Sequence, residues 1–116
     1  MAILEEPLKS EFRLKNYIGG EWVESSSAQT QDVVNPATQK VLAKVPMSTR
    51  TEVNTAVKVA KEAFPDWRRT TPLTRARCFF RLKALLEENF EMLSRVQTME
   101  HGKTIDESRG ETRRGI

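Results

Sequence analysis

The glycine pair Gly19-Gly20 most constrains how the start of this chain folds. Residues 17–18 before the pair and residues 21–23 after it are strand-forming, so the glycines predict a two-residue turn in a β-hairpin. Two strands alone bury too little apolar surface to be stable in water. The hairpin therefore needs a partner, either elsewhere in these 116 residues or outside them.

Composition places the chain with folded globular proteins. Hydrophobic residues make up 38% and charged residues 30%, and the length suits one ordinary domain. No apolar run approaches the ~20 residues of a membrane span, and the first residues lack the basic flank of a secretion signal. The single cysteine, Cys78, excludes an internal disulfide and fits a reducing compartment. We therefore expect a cytoplasmic protein, with a mitochondrial location after loss of a presequence left open.

The charge pattern does not predict a nucleic-acid-binding protein. The net charge of +3 comes from 19 basic and 16 acidic residues, and part of the excess is local to Arg109, Arg113 and Arg114. Nucleic-acid binding favours a basic stripe interleaved with aromatic residues. Here acidic and basic residues alternate along most of the chain, which is typical of a solvated surface. We expect neither nucleic acid nor membrane as a partner.

Strand signals give way to helix signals near residue 49. Residues 32–36 predict a strand ended by an Asn-Pro turn, and residues 41–45 predict the next strand. Thr49 lies three residues before Glu52, the spacing of a capping box at a helix start. We expect Pro65 to end this helix, because proline lacks the backbone N–H that an α-helix needs.

The remaining sequence predicts two further helices. A Thr-Pro pair at 71–72 begins a helix that continues to Gly102, a residue suited to a C-terminal cap. At ~1.5 Å per residue this helix would be about 40 Å long. One apolar face runs along it: Leu73, Ala76, Phe79, Leu82, Leu86, Leu93 and Val96. Thr104 and Glu107 repeat the capping-box spacing and predict a last helix that runs to Ile116 without a breaker. The long helix and the unfinished pattern at Ile116 predict the leading part of a larger protein.

No set of residues predicts a catalytic centre or a metal site. Cys78 lies within an amphipathic helix, where a small packing role is expected rather than that of a nucleophile. His101 is the only histidine, which excludes a His-His metal site, and it suits a helix C-terminus. The run "HGKT" at 101–104 lacks the upstream glycine of a phosphate loop and follows a helix. Helix capping and surface roles account for the carboxylates Glu100, Asp106, Glu107 and Glu111.

Four stretches in register resemble the aldehyde dehydrogenase superfamily. They are "YIGGEWVES" (17–25), "VVNPATQKVLAKVP" (33–46), "AKEAFPDWR" (60–68) and "EHGKT" (100–104). Within it, the chain is similar to the CoA-acylating methylmalonate-semialdehyde (malonate-semialdehyde) dehydrogenase branch, mainly through "YIGGEWVES", "DVVNPATQKVLAKVP" and the ending "RRGI".

The resemblance implies an α/β fold of which this chain is the N-terminal part. Short strand hairpins would precede amphipathic helices that pack on a doubly wound sheet absent from this chain. Residues 1–13 would form an N-terminal extension, and residues 14–116 an incomplete N-terminal portion of the NAD-binding domain.

The resemblance also implies a function for the whole enzyme. It would oxidise malonate or methylmalonate semialdehyde with NAD through a cysteine thioester. Coenzyme A would accept the acyl group, with loss of CO2, to give acetyl-CoA or propanoyl-CoA. A homo-oligomer, dimer or tetramer, is implied. The family's catalytic residues and dinucleotide-binding glycines lie beyond this chain, so no catalytic or cofactor-binding residue is assigned to it. Two alternatives stay open: an aldehyde dehydrogenase that hydrolyses the thioester, and a non-catalytic α+β interaction module.

One binding residue is implied by the resemblance. In this branch an arginine in the "RGI" segment contributes to recognition of the substrate carboxylate, and Arg114 matches it. A guanidinium suits a carboxylate because two N–H groups can meet two oxygens. Arg113 is a departure from the pattern, and its additional charge can alter the local field. From the residues alone, a solvated surface is the competing interpretation of both arginines.

Overall fold

The computed structural model describes residues 13–116, so the predicted extension at 1–13 lies outside them except for Arg13. Two antiparallel hairpins precede four helices, whereas the sequence predicted three helices after the strands. The strands are β1 (Asn16–Ile18), β2 (Glu21–Val23), β3 (Thr30–Val34) and β4 (Val41–Pro46), which pair as β1-β2 and β3-β4. The helices are α1 (Arg50–Arg69), α2 (Pro72–Glu88), α3 (Phe90–His101) and α4 (Ile105–Gly115).

The glycine turn of the first hairpin is confirmed. Gly19 and Gly20 have φ of 65° and 87°, a left-handed pair that only glycine adopts without strain. The turn pairs Tyr17 with Trp22 across the strands, with ring centroids 4.9 Å apart. Trp22 is nevertheless 69% exposed, so the aromatic pair has little cover from the described part of the chain.

The second hairpin carries the small apolar core. Leu42 and Ala43 of β4 are each 4% exposed, Pro46 of the same strand is also buried, and no other apolar side chain among residues 13–116 is. Pro36, in the β3–β4 turn, meets the turn between α3 and α4. A Cβ atom placed on Gly102 would lie 2.7 Å from Pro36 Cγ, so the two turns touch where a side chain would not fit.

The prediction that Pro65 ends the first helix is wrong. α1 continues through Pro65 to Arg69, and the N–H of Thr70 then closes it by donating to the carbonyls of Asp66 and Trp67 at 3.1 Å. A proline at 65 removes the bond to the carbonyl of Lys61. α1 has no buried residue, so water can satisfy that carbonyl.

The predicted single helix from 72 to 102 is also wrong, because it breaks at Asn89. The side-chain amide of Asn89 donates to the carbonyl of Leu85 at 2.8 Å, and its φ of −100° and ψ of 14° leave the helical range. Such side-chain bonds compete with the helical ladder. The chain re-enters a helix at Phe90, so α2 and α3 are separate elements.

The caps predicted at Thr49, Thr71 and Gly102 are confirmed. Thr49 and Glu52 form a complete capping box, and Thr71 accepts a bond from the N–H of Thr74 ahead of Pro72. Gly102 has φ of 74° and caps α3, with its N–H donating to the carbonyl of Thr98 at 2.9 Å. Local chemistry is sufficient to place these ends.

The chain is more open than a self-contained domain of its mass. Its accessible surface is 9234 Å², against about 6500 Å² for a typical globular monomer of this size. Its radius of gyration is 17.5 Å, against about 13 Å expected for 116 residues. Neither α1 nor α2 has a buried residue. Of the predicted apolar face, Leu82 is exposed, whereas Leu86, Leu93 and Val96 are half-buried.

Within residues 13–116, no helix combines the length and apolarity that crossing a membrane requires.

Glu52 joins the strand-rich half to α1. Its carboxylate accepts hydrogen bonds from the backbone N–H groups of Ser26 (2.6 Å) and Thr49 (2.7 Å), and from the Ser25 hydroxyl (3.0 Å). These bonds, chiefly the one from the Ser26 amide, lower the pKa of Glu52 from 4.5 to about 2. The carboxylate therefore fixes the loop after β2 against the start of α1.

The Glu52 contacts predict a loss of stability in acid. Because folding lowers this pKa, the contribution is present above pH 4.5 and is lost as the pH falls toward 2. We expect the free energy of unfolding of this chain to fall between these values, with uptake of about one proton at Glu52. Glu52→Gln keeps the capping acceptor and should show a correspondingly smaller slope in urea titrations from pH 5 to 2. Equal slopes for both proteins would contradict the assignment to Glu52.

Candidate substrate-carboxylate site

Two buried serines bring α3 and α4 together. Ser94 of α3 and Ser108 of α4 are both 0% exposed. The Ser94 hydroxyl donates to the carbonyl of Phe90 at 2.9 Å and lies 3.3 Å from the Thr112 hydroxyl. The Thr98 hydroxyl donates to Ser108 Oγ at 2.8 Å. Small side chains let the two helices approach closely, and each buried hydroxyl has a hydrogen-bond partner.

This hydroxyl layer was not predicted from the sequence. Ser94 and Thr98 are four residues apart on one helix, and Ser108 and Thr112 are four apart on the other. That i, i+4 spacing is the available signal, since it places each pair on one helical face. The expected apolar face, which included Leu93 and Val96, is only half-buried, whereas Ser94 between them is fully buried.

An ion pair and a capping box fix the start of α4. Glu107 accepts from the Thr104 N–H at 3.0 Å, and the Glu107 N–H donates back to the Thr104 hydroxyl at 3.3 Å. Arg109 meets both oxygens of Glu91 on α3 at 2.9 Å, a bidentate arrangement. The Arg109 guanidinium lowers the pKa of Glu91 by hydrogen bonding, and Glu91 in turn raises the pKa of Arg109. α4 is therefore held in one register against α3.

Arg113 and Arg114 both lie in the last turn of α4, where cations interact favourably with the helix dipole. Their surroundings differ. The Arg113 guanidinium lies over the Phe90 ring, 4.4 Å from its centroid, and its Nη1 is 3.8 Å from Glu87 Oε1. Arg113 is thus engaged by neighbouring α2 and α3 side chains.

Arg114 is far less engaged. Its side chain is 73% exposed, and its ion-pair distance to Glu111 is 3.7 Å, longer than a strong hydrogen bond. Glu111 is held from the other side, where Lys103 Nζ donates to Oε2 at 2.8 Å and the Gln97 amide also donates. The hydrogen bond from Lys103 is the main cause that lowers the pKa of Glu111. The Arg114 guanidinium is therefore presented to solvent with its N–H groups accessible to an anion.

The other candidate residues do not join this site. Cys78 lies in α2 and is exposed, so the expected packing role is not met within the described residues. His101 ends α3 and is exposed, as its predicted place at the helix C-terminus requires. The two lie on different helices. Among residues 13–116 no group of three or more potential ligands could hold a metal ion.

A phosphate site of the dinucleotide-binding type does not fit the described residues. Such a site needs glycines in a turn between a strand and a helix, and free amides at the helix start. The run at 101–104 joins two helices instead, and the negative Glu107 occupies the first turn of α4. The run at 101–104 therefore does not form a phosphate site of this type.

Comparison with known proteins identifies the family. Residues 22–116 match the model of the aldehyde dehydrogenase family. The chain is 50% identical over 109 residues to malonate-semialdehyde dehydrogenase 2 of Bacillus mycoides, covering 94% of this chain and 23% of that protein. It is 54% identical over 103 residues to malonate-semialdehyde dehydrogenase 2 of Geobacillus kaustophilus, covering 89% of this chain and 21% of that protein.

Solved structures agree in fold. A crystal structure from Sinorhizobium meliloti 1021, assigned as a methylmalonate-semialdehyde dehydrogenase and complexed with NAD, superposes with a TM-score of 0.86 at 36% identity. The superposed region covers 92% of this chain and 22% of the Sinorhizobium meliloti chain. An aldehyde dehydrogenase from Bartonella henselae gives a TM-score of 0.87 at 25% identity, covering 91% and 22% of the two chains.

The chain belongs to the aldehyde dehydrogenase family, which confirms the predicted fold class. It spans about a fifth of the length of the curated relatives it matches.

Proposed function

We propose that this chain is the N-terminal part of an NAD-dependent, CoA-acylating malonate- or methylmalonate-semialdehyde dehydrogenase. The identity of 50–54% to proteins named malonate-semialdehyde dehydrogenase is the observation that carries the proposal. Residues 14–116 would belong to the NAD-binding domain. The extensive exposed surface favours this proposal over an independent interaction module, because a self-contained module would bury more of its apolar side chains.

Within this enzyme, Arg114 would bind the carboxylate of the semialdehyde. Its accessible guanidinium and its loose pairing with Glu111 support this role. A carboxylate held at a fixed guanidinium orients the rest of a small substrate, so the aldehyde carbon would be directed toward residues supplied by the remaining length of the enzyme. In this proposal the acid, base and nucleophile of the reaction would come from the remaining length of the enzyme.

NAD would accept the hydride and coenzyme A the acyl group, and both would be bound by the remaining length of the enzyme. The enzyme would be a homo-oligomer, a dimer or tetramer, located in the cytoplasm. The NAD complex of the Sinorhizobium meliloti structure supports the use of NAD. Coenzyme A and the oligomer follow the resemblance, and the location follows the single cysteine. The runner-up function is an aldehyde dehydrogenase that releases a free carboxylate.

A chimeric enzyme tests the proposed function. This chain would replace the matching first fifth of the Geobacillus kaustophilus relative, with the unmodified relative assayed in parallel. We expect NADH formation from malonate semialdehyde to require coenzyme A and to yield acetyl-CoA in equal amount. NADH formation at the same rate without coenzyme A, with a free acid as product, would favour the hydrolysing alternative. Light scattering of the chimera would report its oligomeric state.

A further inference from the structure

Two clusters of charged side chains, each with one lysine, one glutamate and one arginine, include the last two arginines of α4. The Arg113 triad consists of Lys83, Glu87 and Arg113. The Arg114 triad consists of Lys103, Glu111 and Arg114. In each triad the lysine Nζ lies closer to the glutamate carboxylate than the arginine guanidinium does. The distances to Glu87 are 2.5 Å from Lys83 and 3.8 Å from Arg113. The distances to Glu111 are 2.8 Å from Lys103 and 3.7 Å from Arg114.

The two arginines nevertheless differ in their contacts and exposure. The Arg113 guanidinium has a second partner, the Phe90 ring, which fixes it against α3. The Arg114 side chain is the most exposed member of its triad, at 73%, compared with 23% for Lys103. Glu111 is thus the carboxylate closest to a guanidinium that is otherwise open to solvent.

We propose that Lys103 is a positioning residue that keeps Arg114 available for the substrate carboxylate by holding Glu111 away from it. The inference rests on the proposed function, because it needs Arg114 to bind a carboxylate. It adds a residue that need not touch the substrate and that acts through Glu111.

The geometry gives the mechanism. Lys103 Nζ and the Gln97 amide both donate to Oε2 of Glu111, so only Oε1 faces Arg114. An intramolecular carboxylate and a substrate carboxylate compete for the same guanidinium, since both accept the same pair of N–H donors. While Lys103 neutralises Glu111, the substrate carboxylate competes more successfully than Glu111 for the Arg114 guanidinium. Without Lys103, Arg114 becomes the nearest cation to Glu111 and is drawn into a closer pair.

The test uses the chimeric enzyme and two aldehydes of the same chain length. Malonate semialdehyde carries the carboxylate, and propanal lacks it. We expect Lys103→Met to raise the KM for malonate semialdehyde by about fivefold, the size of an exposed ion-pair effect, while the KM for propanal and both kcat values change little. Lys103→Met combined with Glu111→Gln should restore the KM, because the competing charge is then gone.

Lys83→Met is the matched control. It removes the corresponding lysine of the Arg113 triad and the same unit of positive charge, and we expect it to leave both KM values unchanged. An equal rise with Lys83→Met would overturn the proposal, because the effect would then reflect general charge or Arg113. A rise for both aldehydes with Lys103→Met, or failure of the double substitution to restore the KM, would overturn it as well.

Two further variants separate this inference from the proposed function. Glu111→Gln alone removes the charge that competes for Arg114 and leaves Lys103 in place. We expect its KM for malonate semialdehyde to be at or below the wild-type value. A rise in this KM would overturn the inference. Arg114→Gln tests the carboxylate-binding role itself. If Arg114→Gln raises the KM and Lys103→Met does not, only the positioning role fails. If neither does, the role proposed for Arg114 fails first.

Discussion

Replacing Arg114 by glutamine in the chimeric enzyme is expected to raise the KM for malonate semialdehyde by about 10- to 100-fold. This range corresponds to the loss of a hydrogen-bonded charge partner, about 1.5–3 kcal/mol. The KM for propanal should stay within about twofold, since an aldehyde without a carboxylate makes no such bond. Steady-state kinetics with both aldehydes provides the measurement.

Arg113 supplies the matched control for this experiment. It has the same side chain one residue earlier, but its guanidinium lies over the Phe90 ring and near Glu87. Arg113→Gln should therefore affect the stability of α4 more than the KM. Arg114→Lys keeps the charge but not the planar pair of donors, so we expect partial recovery. An unchanged KM with Arg114→Gln, or an equal rise with Arg113→Gln, would contradict the assignment.

Gly102→Ala is expected to destabilise this chain by about 2–4 kcal/mol. Two causes act together. The residue has φ of 74°, which is unfavourable for alanine, and the new Cβ would lie 2.7 Å from Pro36 Cγ. Urea denaturation followed by circular dichroism would measure the loss as a lower midpoint with an unchanged slope.

Gly110→Ala is the corresponding control. Gly110 lies inside α4 at a negative φ, and the nearest atom to an added Cβ is the end of the Arg114 side chain at 4.0 Å. We expect Gly110→Ala to stabilise the chain by about 0.5–1 kcal/mol, since alanine is the better helix former. A double substitution, Gly102→Ala with Pro36→Ala, should recover the part of the loss due to the contact. Equal effects of the two glycine substitutions would contradict the described turn.

Local signals predicted most of the secondary structure. The Gly19-Gly20 turn and the caps at Thr49, Thr71 and Thr104 depend on neighbours within three or four residues, so the sequence contains all the relevant chemistry. The prediction at Pro65 was wrong because a proline near a helix end costs little stability when the carbonyl that loses its hydrogen bond is exposed.

The two larger errors concern features with no strong local signal. Asn89 is not a strong helix breaker, and apolar residues continue at helical spacing on both sides of it, so the pattern predicted one helix. The buried Ser94 and Ser108 resemble surface polar residues until the second helix is placed beside the first. Tertiary contact decides the second case, whereas the break at Asn89 accompanies a local bond from its side chain to the carbonyl of Leu85.

The candidate site was predicted by resemblance rather than by physics. Nothing in the residues alone distinguishes Arg114 from Arg113, since they are adjacent and chemically identical. Their difference depends on which side chains each one meets: Phe90 of α3 for Arg113, and Glu111 of α4 itself for Arg114. The substrate role of Arg114 stays a prediction until the kinetic comparison is made.

The break at Asn89 also separates two regions in which we expect different local stability. On one side, α1 and α2 have no buried residue and open without losing a core contact. On the other, α3 and α4 hold each other through buried hydroxyls and a bidentate ion pair. We therefore expect α4, and Arg114 with it, to keep its register against α3 when α1 and α2, which together hold 37 of the 116 residues, open transiently.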